Sequence, residues 1–115
     1  MRNNKIYISD ILDCIHYIAD FIGESDYDEF ISDNKTSSAV ILKLIVIGEA
    51  TKNIQGTIRE KYPDVPWKSM TGLRDRIAHG YFGIDYEIVW EVIKNRLPKL
   101  EPRMAEILEE MDSES

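Results

Sequence analysis

With 115 residues, 43% of them hydrophobic, the chain has apolar material for one core and is read as a single domain, 1–115. Its net charge of −7 argues against a protein that coats nucleic acid, and its one cysteine, Cys14, rules out an internal disulfide. No apolar run approaches the roughly 20 residues of a membrane span, and the N-terminal MRNNKIYISD has no apolar signal core, so a cytoplasmic chain with no membrane partner is expected.

From Tyr7 to Ile22, apolar residues recur in steps of three and four, which predicts an amphipathic helix started by Ser9 or Asp10 and ended by Gly23. Cys14 falls on its apolar face and reads as a small buried hydrophobe. His16 lies in the same helix and reads as structural. Ser25–Ser32 predicts a short acidic helix around Tyr27, Phe30 and Ile31, followed by a turn at Asp33-Asn34. Lys35 to about Ile54 predicts the central helix, because AVILKLIVIG is apolar almost all round. Gly48 costs that helix propensity, so a neighbouring helix is expected to pack closely against it.

Thr57–Tyr62 predicts one or two helical turns before Pro63 and Pro66 break the chain. Trp67–Ala78 reads as one helix, ended by Gly80 and Gly83. Asp85 is placed to cap the last helix, with Glu87 near its positive end. Pro98 and Pro102 should kink or split that helix, Met104–Met111 continues it with an acidic amphipathic face, and Asp112–Ser115 should fray. The expected fold is all-α, an antiparallel bundle of four to five helices with short connections.

Charge is unevenly spread. Between Lys43 and Gly83 seven basic residues face four acidic ones, giving +3, while the rest of the chain carries −10. An anionic substrate should therefore meet the middle of the chain. That stretch holds the segment Gly72-Leu73-Arg74-Asp75-Arg76-Ile77-Ala78-His79-Gly80-Tyr81-Phe82-Gly83. On an ideal helix Arg74 and His79 would lie about 140° apart, so the chain must leave helical geometry near His79 for the two to meet.

These residue types suit RNA cleavage without a metal, in which a 2′-hydroxyl attacks the adjacent phosphate. His79 can move protons near neutral pH, and Arg74 can fork phosphate oxygens. One histidine cannot easily be base and acid in one step, whereas a homodimer supplies two. Residue type alone leaves a second reading open, in which Arg74, Asp75 and Arg76 are solvated charges and His79 closes a helix end. Glu49, on a largely apolar helix, either orients Arg74 or Arg76 or sits exposed. Tyr62, Trp67, Phe82 and Trp90 can stack on bases, although Trp67 and Trp90 read better as core. The two histidines are too far apart in sequence for metal-site spacing, so no metal or cofactor is expected.

The spacing Arg74-x4-His79-x-Tyr81 resembles the motif of HEPN ribonucleases, in the form seen in HepT toxins. Tyr27-Asp28-Glu29-Phe30, Ile47-Gly48-Glu49-Ala50-Thr51-Lys52, Tyr62-Pro63-Asp64-Val65-Pro66-Trp67, His79-Gly80-Tyr81-Phe82-Gly83-Ile84-Asp85 and Val89-Trp90 are also similar to that family, so the resemblance covers nearly the whole chain. It implies a dimeric, metal-independent endoribonuclease toxin with Arg74 and His79 catalytic. It also implies an antitoxin partner, an MntA-type minimal nucleotidyltransferase that silences the toxin by moving AMP from ATP to Tyr81. A competing function is a non-catalytic helical partner that serves only as that enzyme's substrate.

Overall fold

A computed structural model describes residues 3–79 and 83–113, with the backbone alone at 79. Helix α1 (Asn4–Ile22) begins earlier than Ser9 or Asp10, because the Asn3 side chain accepts the Ile6 N–H at 3.0 Å. It ends where expected, at Gly23, whose φ of 53° is a left-handed conformation that glycine adopts without a side-chain clash. Helix α2 (Tyr27–Ser32) starts in a capping box: Asp26 accepts the Glu29 N–H at 2.8 Å and Glu29 accepts the Asp26 N–H at 3.0 Å.

The expected turn at Asp33-Asn34 shrinks to one residue. Asp33 closes α2 and caps α3 (Asn34–Lys52), accepting the Thr36 N–H at 3.1 Å and its hydroxyl at 2.7 Å. The hydroxyl bond, and then the backbone bond, hold the Asp33 carboxyl below the usual carboxylate range. α3 is less enclosed than its composition suggests. Val40, Leu44 and Ile47 are buried, but Leu42 is 57% exposed on the opposite side.

Contacts along α1 set the packing directions. Asn4, at its start, exchanges two hydrogen bonds with Gln55, just past the end of α3, at 3.0 and 3.4 Å. Helix α8 (Leu97–Ser113) meets α1 through Lys5 with Asp112 and through His16 with Glu101. Both helices therefore run antiparallel to α1 and parallel to each other.

The other elements are short: α4 (Gly56–Lys61), α5 (Trp67–Thr71), α6 (Leu73–Ile77), strands β1 (Ala78–His79) and β2 (Gly83–Ile84), and α7 (Tyr86–Glu91). The fold is all-α apart from this two-residue ladder, and the described residues form three long and five short α-helices instead of four or five. A π-helical turn, Val92–Arg96, joins α7 to α8, with the Leu97 N–H bonded to the Val92 carbonyl. Pro98 has no N–H for the Lys94 carbonyl and its ring crowds that oxygen, which the wider turn relieves. The prolines thus neither end nor split the helical path, and Val92 and Leu97, five residues apart, are both buried. Asp112 and Ser113 are helical rather than frayed; residues 114 and 115 lie outside the described ones.

Gly48 meets its expected neighbour. A Cβ there would lie 3.1 Å from the Met70 carbonyl oxygen of α5 and 3.9 Å from Leu73 Cβ of α6. Gly48→Val should destabilise the fold by about 1–3 kcal/mol through overpacking. Gly72→Ala, whose nearest new contact is 3.5 Å, should be tolerated far better. Urea unfolding of the two variants beside wild type checks this; equal midpoints would mean that α5 and α6 are not packed tightly on α3.

Candidate active site

The Trp67–Ala78 segment is not one helix. The chain bends at Gly72 (φ −89°, ψ 4°), then forms α6, whose Leu73 and Ile77 are buried. On ideal geometry those two side chains make one seam, Arg74 and Arg76 flank it at about 80° on either side, and Asp75 stands on the crest. Arg74 and Asp75 are exposed and Arg76 is half-buried. Among the described residues neither arginine has a hydrogen-bond or ion-pair partner.

α6 ends at Ile77, before the glycines, because Ala78 turns extended (φ −120°, ψ 121°). The Ile77 carbonyl accepts the Asp85 N–H at 2.8 Å, Ala78 pairs with Ile84 and His79 with Gly83. The Asp85 side chain then accepts the Ile88 N–H at 3.1 Å and starts α7, as expected. Arg74 therefore projects from a helix while His79 belongs to a strand pair that starts at Ala78, one residue after α6 ends at Ile77. Gly80, Tyr81 and Phe82 lie outside the described residues, as does the His79 side chain.

The remaining candidates are dispersed. Glu49 is exposed and pairs with Lys52 at 3.2 Å, with no bond to Arg74 or Arg76. His16 is exposed and faces Glu101 at 3.3 Å. Cys14 is buried, which pushes its thiol pKa up. Trp67 is core, its Nε1–H donating to the Tyr62 carbonyl at 2.9 Å; Tyr62 is buried too, and its hydroxyl meets Glu110 at 2.6 Å. Trp90 is half-buried against Tyr27 and Phe30. Asp64 is bound by Arg103 at 2.7 and 3.1 Å, and this bond lowers its pKa.

One arginine near the segment escaped the sequence reading. Arg96, in the π-helical turn, lines the same small pocket as Arg76, with Ser69 and Leu73. It also borders an open groove of about 700 Å³ that includes Asn95 and Lys99. Twenty positions separate Arg76 from Arg96, and no local pattern signals that they line one pocket.

The profile of the family described as Ribonuclease HepT-like matches residues 11–107. This chain belongs to that family. A protein of Methanocaldococcus jannaschii named, by inference, as an RNase is 44% identical over 113 residues, covering 98% of this chain and 93% of the relative. A protein of Thermococcus cleftensis with the name Probable ribonuclease HepT is 37% identical over 106 residues, covering 92% and 96%. One from Caldanaerobacter subterraneus, also named as an RNase by inference, is 36% identical over 109 residues, covering 95% and 97%. No solved structure matches. The family relationship agrees with the resemblance read in the sequence and makes RNA the relevant substrate class. No helix among the described residues is long and apolar enough to cross a membrane.

Proposed function

We propose that this chain is a metal-independent endoribonuclease toxin acting as a cytoplasmic homodimer, with Arg74 and His79 catalytic and Tyr81 the point of control. The observation that carries the reading is Arg74: an exposed guanidinium, without a partner among the described residues, on the helix that leads directly into the His79 hairpin. An exposed arginine that a carboxylate already held would have to give up that bond first. This one is available to a phosphate.

In the reaction, the 2′-oxygen of a ribose bonds to the adjacent phosphorus and the bond to the 5′-oxygen breaks. One histidine takes the hydroxyl proton and a second protonates the leaving oxygen, so the products are a 2′,3′-cyclic phosphate and a 5′-hydroxyl end. Arg74 opposes the negative charge that builds on the phosphate. Two copies of His79 supply both proton roles. Tyr17 and Phe21 on α1 and Leu42 on α3 are large exposed apolar side chains that support self-association. Arg76, on the other flank of α6, adds positive charge for RNA, whereas Glu49, paired with Lys52, is left a minor supporting position. The antitoxin is a minimal nucleotidyltransferase using ATP.

The test combines cleavage and mass. Sedimentation should give a dimer at micromolar concentration. Cleavage of a single-stranded RNA should persist in excess EDTA and yield the cyclic phosphate. Activity lost on chelation and restored by a divalent ion would overturn the mechanism.

A further inference from the structure

We infer that Arg96 and Arg76 together form a second phosphate-binding position for the RNA strand, on the flank of α6 opposite Arg74; this rests on the ribonuclease reading above. Arg76 comes from α6 and Arg96 from the π-helical turn, yet both line one small pocket whose other walls, apart from Ser69, are apolar. The state of each guanidinium is the telling feature. Arg76 has no partner among the described residues. Arg96 is held by Glu91 through Nε alone, at 3.0 and 3.3 Å. Its two Nη groups, the edge that forks a phosphate, carry no hydrogen bond among the described residues. Glu91 thus orients the side chain without consuming its recognition edge.

The neighbouring arginine shows the contrast. Arg103 lies in the same groove but gives both Nε and Nη2 to Asp64, so its fork is already occupied. Asp75 stands on the crest between the flanks, which makes Arg74 and the Arg76–Arg96 pair two separate contacts. From Arg96 the groove continues past Asn95 and Lys99, with Asp64, Glu91 and Glu106 also in its lining, giving an extended strand somewhere to lie. RNA backbone is the chemistry that fits: two guanidinium groups suit a phosphodiester, and the surrounding carboxylates disfavour a folded, highly charged duplex.

Fluorescence anisotropy with a short single-stranded RNA, titrated across salt, tests this. Arg96→Ala should weaken binding several-fold and reduce the slope of log K against log salt by about 0.7, the loss of one phosphate contact. Arg96→Lys should keep most of the slope while losing part of the affinity, because charge survives and the fork does not. Lys35→Ala, the same charge change at the far end of α3, should match wild type. If wild type cuts RNA but Arg96→Ala binds like Lys35→Ala, the second position does not exist. If wild type neither binds nor cuts RNA, the ribonuclease reading fails and this inference falls with it.

Discussion

His79→Ala should slow RNA cleavage by about 10²- to 10⁴-fold, the usual worth of a positioned proton-transfer group. Arg74→Ala should cost about 10²- to 10³-fold, comparable with removing one preorganised donor from a developing oxyanion. Both proteins should keep the fold. The ladder at His79 is built from backbone groups, which alanine retains. Arg74 is exposed and has no structural partner among the described residues. The double variant should lose less than the product of the two effects, since both act on one transition state. Single-turnover cleavage at fixed RNA, with circular dichroism on the same samples, gives the answer. Wild-type rates in either variant would remove that residue from the mechanism.

Incubation with the cognate nucleotidyltransferase and ATP should abolish cleavage by wild type and leave Tyr81→Phe active. In the proposed transfer the phenolic oxygen of Tyr81 would attack the α-phosphorus of ATP, pyrophosphate would leave, and the phenol would lose its proton. Each AMP would add about one negative charge and a nucleoside two residues from His79, and it would compete with RNA phosphate for Arg74. Other tyrosines are poorer acceptors. Tyr62 is buried with its hydroxyl on Glu110, and Tyr27 is packed against Trp90. Peptide mass spectrometry locates the adduct. AMP on another tyrosine, or a Tyr81→Phe protein silenced equally well, would move the control point elsewhere. A wild type that accepts AMP on Tyr81 yet never cuts RNA would instead favour a non-catalytic partner of the nucleotidyltransferase.

Features set by near neighbours in the chain were legible in the sequence. The α1 periodicity, the Gly23 stop, the Asp85 cap and the close approach at Gly48 follow from residue type and spacing, and all four are found. The early start of α1 was missed because Asn3, Ser9 and Asp10 are all good caps, and only the contact of Asn4 with Gln55 favours the first. The break at Gly72 and the strand at Ala78 were missed for a related reason. A hairpin that ties Ile77 to Asp85 outweighs the helical pattern of Trp67, Met70, Leu73 and Ile77. Pro98 was correctly read as a disturbance, but the sequence does not say whether a helix answers a proline with a kink or with one wider turn. Arg74, His79 and Tyr81 stood out through motif spacing. Arg96 did not, because its place beside Arg76 depends on packing between α6 and the last helical run.

The backbone bond from Asp85 to Ile77 gives the base of the two-stranded ladder a built-in reporter. That amide hydrogen can exchange with solvent only when the 2.8 Å bond opens. The carboxylate of the same residue protects the amide of Ile88 at the start of α7. Asp85 takes part in both bonds, so the protection of the two amides should rise and fall together. Deuterium uptake at Asp85 and Ile88 would then follow how firmly the ladder flanking residues 80–82 is held, without a label placed between its strands.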